Sequence, residues 1–397
     1  MKTIMDYLAT EFATFEEVPF CAVDALVLSE FCMVRMEKVM PPMREEKTLG
    51  GIAAARLRSV LASQRGLRFK DALLAEYYDE MFVGLVPHKI KDLMLALAAS
   101  PRFRDMHMSE CASVFDEKNN TQFAALSFSY KNKFAFVGFR GTDCSFTGWR
   151  EDFDMAYMDR VPSQTGALRY LDAVARRLPK KLYVGGHSKG GNLAVYAAAK
   201  CEEKTRRRIQ RVYCLDAPGF RSGVFSENER AAVVPLIERY VPRESLIGML
   251  MKHSSPYTVV KSNASGAWQH DPFTWGVDGF EFERCDGLAQ SAQFVHDVLN
   301  SWLARYNDEE ARVIVDAMFE AMRASGAQDF SEIIQPGPKS LSLLRDAAKN
   351  TDDETRATLM DAIGDLAEVA ARRVWYGQKN QGSPAYEPTA SHKKNAE

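Results

Sequence analysis

The sequence predicts an α/β fold built on a mainly parallel sheet. Two observations point there. Between Gln122 and Met251, short β-rich runs alternate with helical runs, and most of the β runs are nearly continuous in apolar residues. Strands of that kind are buried on both faces, as in a parallel sheet covered by its own crossover helices.

The elements follow in chain order. Residues 1–115 read as a mainly helical N-terminal segment. Ala72–Phe82 and Lys89–Ser100 place apolar residues at i, i+3, i+4 spacing. The sheet region, 116–286, opens with FAALSFSY (123–130) and KFAFVGF (133–139), separated only by Lys131 and Asn132 and so read as a hairpin. KLYVGG (181–186) and RVYCLD (211–216) are the next strands. The helical patterns Leu168–Leu178, Asn192–Lys200 and Glu227–Arg239 interleave with them, and PYTVVKS (256–262) is a last strand. It leads into an aromatic and glycine-rich loop, GAWQHDPFTWGVDGF. Residues 287–376 read as helices over Ala289–Tyr306, Glu309–Met322, Ser340–Ala348 and Thr355–Trp375. Turn signals fall at Asn307-Asp308, Gly326 and Pro336-Gly337-Pro338. Residues 377–397 are polar and read as a flexible tail.

Composition narrows the function classes. The 397 residues carry 51 Lys+Arg against 53 Asp+Glu, a net charge of −2, so no bulk charge draws the chain to nucleic acid. No apolar run approaches the ~18–20 residues that cross a bilayer. No basic segment followed by an apolar core opens the chain, so no secretory signal is expected. The seven cysteines are scattered, odd in number and never spaced C-x-x-C. That argues against a zinc site or a disulfide framework and for a reducing cytoplasm. No cofactor or metal is implied.

Gly186-His187-Ser188-Lys189-Gly190 fits G-x-S-x-G and lies between an apolar strand and a helical run. That order is the one a strained turn needs to lift a serine hydroxyl above a sheet edge. Gly186 and Gly190 are expected to be structural, at points where the turn leaves no room for side chains. The Lys189 N–H would open the helix and point at an oxyanion. A serine hydroxyl needs a base. After Ser188 come His253, His270, His296 and His392, and His270 is preferred because it lies in the loop after the last strand. Asp216, at the end of a strand, and Glu244, in ERYVPRES, are both open as the acid. Thr142, after the strand KFAFVGF, is the candidate second oxyanion donor. Three further features carry weaker expectations. The Lys189 side chain would favour an anionic substrate, Trp149–Gly166 would form a lid, and the basic run Arg206–Arg211 would dock an acidic partner.

Taken together, FRGTD (139–143) with GWREDF, GHSKGGNLAVYAA, LDAPGF and QHDPFTW resemble the class 3 lipases, and more closely an uncharacterised bacterial family of their relatives. The resemblance spans roughly Val23 to Phe280. It implies an α/β-hydrolase fold with Ser188 as nucleophile, His270 as base and the Thr142 loop in the oxyanion hole. It also implies ester or lipid substrates, with transient contact to a lipid surface. Two departures stand out: Lys189 follows the nucleophile, and the stretch Tyr240–Ser245 lacks the family's Asp. The second departure keeps a different reading alive, a catalytically weak scaffold that binds lipid or protein.

Overall fold

The computed structural model describes residues 1–43, 66–334 and 338–380. Its centre is a seven-stranded sheet whose strands lie side by side in chain order. They are β1 (Met106–Asp116), β2 (Thr121–Tyr130), β3 (Phe134–Phe139), β4 (Lys181–His187), β5 (Ile209–Leu215), β6 (Ile237–Pro242) and β7 (Thr258–Val260). β1, β2 and β3 are antiparallel neighbours, and β3 to β7 are parallel. Every residue of β2 and β3 is buried, as their apolar runs require. Lys131 and Asn132 form the hairpin turn, both at positive φ.

Sequential order has a consequence for the layers. Right-handed crossovers that always step in one direction leave their helices on one face of the sheet. That face carries α5 (Pro162–Ala175), α6 (Lys189–Lys200) and α7 (Glu227–Val233), packed through Ala167, Leu171, Val174, Leu193, Ala194 and Ala198. The other face is covered by the N-terminal helices α1 (Ile4–Thr10), α2 (Ala22–Phe31) and α3 (Pro87–Ala99). All ten residues of α2 are buried, Asp24 and Glu30 included. Asp24 is neutralised by Arg102, which meets it at 2.7 and 2.6 Å. The short pair β8 (Val277–Asp278) and β9 (Glu281–Phe282) completes this layer. Before α5, α4 (Phe146–Asp154) leads away from β3. After the sheet come α8 (Gln290–Leu303), α9 (Asp308–Ala324), α10 (Pro338–Asn350) and α11 (Asp353–Asn380).

Several sequence expectations are corrected. Residues 106–115, assigned to the helical segment, are the edge strand β1, whose alternating burial along Met106–Ser109 is masked by a bulge between Ser109 and Ala112. Ala72–Phe82 is not one helix but short turns over Phe69–Ala72, Ala75–Tyr77 and Tyr78–Met81. The expected helix over 227–239 stops at Val233. Pro235 sits in a 3₁₀ turn, and Ile237 onward is β6. PYTVVKS contributes only Thr258–Val260. Of the presumed tail, 377–380 belong to α11, while 381–397 lie outside the described residues, as do His392 and Pro336-Gly337. Much of the basic run already has partners within the chain. Arg208 donates to the carbonyls of Ala175, Leu178, Pro179 and Lys180, Arg206 to those of Ala199 and Cys201, and Arg211 pairs with Glu238. Those carbonyls lie at or just past the C-terminal ends of α5 and α6.

Among the described residues, no helix is long and apolar enough to cross a membrane, and no group of three or more potential ligands gathers as a metal site. All seven cysteines are free thiols.

Candidate active site

Ser188 is the single residue between β4 and α6, with φ 56° and ψ −131°. A non-glycine residue in that region costs about 1–3 kcal/mol, so the surroundings must impose it. They do so by backbone contact. A Cβ on Gly186 would lie 2.3 Å from the Gly190 carbonyl carbon, and one on Gly190 would lie 2.2 Å from the Phe139 oxygen. β4, the first turn of α6 and the end of β3 therefore close on one another with no space for side chains. The Ser188 N–H donates to Leu215 O at 2.9 Å, which ties the turn to β5. Lys189 is the first residue of α6, where main-chain N–H groups have no partner within the helix.

Two residues after β3 comes Gly141, whose missing Cβ would stand 3.7 Å from Ser188 Cβ. Thr142 is next. Arg140 holds this loop down, donating to Cys32 O at 2.7 Å and Val34 O at 3.0 Å just past α2. The Thr142 hydroxyl donates to Asp152 on α4.

His270 closes a 3₁₀ turn, Gly266–His270. Its Nδ1 lies 2.6 Å from Asp216 Oδ2. Its side chain is 29% exposed, while Asp216 is fully buried. Asp216 follows β5 at φ 42°, and its N–H donates to Tyr240 O at 2.8 Å. Its other oxygen, Oδ1, accepts from Ser245 Oγ at 2.5 Å. A Cβ on Gly248 would sit 2.2 Å from that oxygen, so the carboxylate occupies space only glycine leaves. The His270 ring packs against that of His187, the residue before Ser188, with centroids 4.5 Å apart. His187 Nδ1 lies 3.1 Å from Glu30 Oε1 on α2, without the alignment of a hydrogen bond. Burial pushes His187 down to about 3 and Glu30 up to about 8, so this pair is neutral near pH 7.

The two candidate acids are thus separated. Glu244 does not approach His270 as a partner. It accepts from Gly266 N and, at 3.0 Å, from Gln269 Nε2, and its own N–H donates to Gln269 Oε1 at 2.8 Å. Glu244 braces the turn that carries His270. Asp271 pairs with Lys89 at 2.5 Å instead of with its neighbour His270. His253 is half-buried against Gly219, and His296 meets Asp297 on α8.

One further expectation is overturned. The Lys189 side chain is not available to an anionic substrate. It is 1% exposed, and its Nζ lies 2.6 Å from Glu151 Oε2. Glu151, also fully buried, takes N–H donors from Gln122 at 3.0 Å and Ser163 at 2.7 Å. This ties Glu151, near the start of Trp149–Gly166, to Ser163 near its end and to β2. Trp149 stacks on Phe330 at 4.1 Å, and Tyr157 packs on Val315 and Phe319 of α9. The segment packs against the C-terminal helices, so opening as a lid would have to break these contacts. Asp152, Glu151, Ser245, Gly248 and Glu30 went unassigned in the sequence. Of these only Glu151 and Asp152 carried a signal, through GWREDF.

Comparison with known proteins gives a family. The model of the Mbeg1-like family matches residues 97–320, from α3 into α9. No curated protein sequence matches the chain. Two solved structures resemble it slightly. The native Rhizomucor miehei lipase propeptide complex is 14% identical, with a TM-score of 0.30, over 64% of this chain and 90% of the other. The M37 lipase crystal structure is 12% identical, with a TM-score of 0.32, over 83% and 99%. Scores of that size carry neither fold nor function.

Proposed function

The chain belongs to the Mbeg1-like family, and on that premise we propose that it is a lipase-like serine hydrolase of the α/β-hydrolase type, related to the class 3 lipases, that cleaves carboxylic esters. The observations that carry the reading are the 2.6 Å contact of His270 Nδ1 with buried Asp216 and the packing of the His270 ring on His187, the residue before a serine held at φ 56°.

In this mechanism Ser188 Oγ attacks the ester carbonyl and His270 Nε2 takes its proton. Asp216 fixes the ring tautomer through Nδ1 and stabilises the imidazolium. The N–H groups of Lys189 and Thr142 hold the tetrahedral oxyanion, each donor contributing about 3 kcal/mol to the transition state. The alcohol leaves with the proton from His270. Water, deprotonated by the same ring, then releases the acid from the acyl-enzyme. The reaction draws on no cofactor or metal, and the free thiols suit a reducing cytoplasm. The alternative of an inactive scaffold arose from the missing Asp in Tyr240–Ser245. The contact of Asp216, one strand earlier, with His270 supports it as the acid and favours the enzyme over the scaffold.

The test is labelling by a fluorophosphonate together with hydrolysis of a p-nitrophenyl ester. Wild type should label and turn over, and Ser188→Ala should do neither while keeping its unfolding midpoint. An unlabelled, inactive wild type would leave the scaffold reading. Comparing dispersed short-chain ester with emulsified triacylglycerol separates an esterase from a lipase that works at a lipid surface.

A further inference from the structure

The residue after the nucleophile ordinarily lends only its backbone N–H. Here its side chain runs into the interior and meets the element that holds the other oxyanion loop. Lys189 Nζ contacts Glu151 at 2.6 Å, Gln122 O at 3.0 Å and Gln122 Oε1 at 3.4 Å. It stands 3.7 Å from Asp152 Oδ1, which has no hydrogen-bond partner of its own. The other oxygen, Asp152 Oδ2, accepts the Thr142 hydroxyl. A continuous path therefore runs from the first residue of α6, through one buried cation and one partly buried carboxylate, to Thr142.

Desolvating Lys189 and Glu151 fully, and Asp152 in part, is expensive, and an aliphatic residue at 189 would pack there with less penalty. What the charged set provides is fixed geometry between two loops that come from different strands. We propose that the Lys189 side chain, acting through Asp152, is a positioning residue that sets the placement of Thr142 in the oxyanion hole. The proposal rests on the serine hydrolase reading above. The charged groups around Asp152 are Lys189 from α6 and Glu151 beside it on α4, with the Thr142 hydroxyl from the loop after β3. Burial raises the Asp152 carboxyl to about 6, and Lys189 opposes that rise. Without the cation Asp152 would take up a proton at higher pH, and Thr142 would lose its anionic acceptor.

The experiment compares wild type with Asp152→Asn, Thr142→Val and their double variant, reading kcat, KM and the affinity of a trifluoromethyl ketone, which forms an oxyanion on the serine. A displaced oxyanion donor should lower kcat and ketone affinity together by about 10- to 100-fold, part of the loss seen when such a donor is deleted, with KM nearly unchanged. Asp152→Asn should cost nothing more in the Thr142→Val background, since both act through one contact. For Lys189 itself, Lys189→Met is combined with Glu151→Gln so that the fully buried Glu151 is not left unpaired, and the same loss is expected. If that pair does not fold, the Asp152–Thr142 cycle decides. Wild-type kcat in Asp152→Asn, or losses that multiply, would overturn the proposal while leaving the esterase reading intact. A wild type that the fluorophosphonate does not label would sink both.

Discussion

The Ser188 turn and the His270 loop reach the same edge of the sheet by different physics. The turn is fixed by exclusion: Gly186, Gly190 and the end of β3 touch backbone to backbone, and Ser188 takes the one conformation left. The loop is fixed by polar partners: Glu244 and Gln269 bond reciprocally, Trp275 Nε1 donates to Gln269 O at 2.8 Å, and Asp216 takes the ring itself. Steric fixation is stiff and tolerates no added atom. Hydrogen-bonded fixation can be loosened one bond at a time, so the two halves should fail differently.

The largest expected effect tests the polar half. Asp216→Asn should lower kcat/KM by about 10³- to 10⁴-fold, with the fold retained, as when the acid of such a triad is neutralised. A loss under tenfold would show that another group orients His270. The steric half breaks through stability instead. Gly190→Ala forces a methyl to 2.2 Å from a carbonyl oxygen. It should cost about 3 kcal/mol in denaturant unfolding, the upper range for overpacking. A midpoint within error of wild type would mean the turn yields.

The junction of the halves, where the rings of His187 and His270 meet above Glu30, has its own signature. Glu30 is raised from 4.5 to about 8 in the folded state. Between those values the folded protein keeps a proton that the unfolded chain has released, so stability falls as pH rises through this window. Glu30→Gln removes that dependence. Its stability relative to wild type should grow by roughly 3 kcal/mol from pH 5 to pH 8, measured by urea unfolding at both. A constant difference would refute burial as the cause. The smallest effect is Glu244→Gln, which keeps most of the brace and should reduce kcat by about tenfold or less. A loss as large as that of Asp216→Asn would erase the distinction between acid and brace.

The same division explains what could be read from the sequence. A steric turn leaves its mark locally, because the residues that must be small are neighbours. G-x-S-x-G between a strand and a helical run therefore placed Ser188. Partners chosen by hydrogen bonding leave no such mark. Asp216 and Glu244 both follow strands, and only the folded course of β5 and β6 brings one to the ring and the other to Gln269. Lys189 illustrates the limit best. Beside a serine on a helix start, a lysine reads as solvent-facing, and its burial depends on Glu151, 38 residues away in sequence. β1 was hidden by its bulge, whereas the end of α7 was legible in Pro235, whose breaking of the expected helix the apolar spacing obscured.

The one-directional winding of the sheet has a bearing on biosynthesis. Because every crossover falls on one side, the opposite side depends on a helix, Ala22–Phe31, whose whole surface is apolar contact or buried pairing. That helix leaves the ribosome well before β3, β4 and β5, the strands it will cover. Until those strands emerge, the nascent chain carries an uncovered greasy segment, the stage at which a multilayered protein is most exposed to aggregation and most dependent on a chaperone.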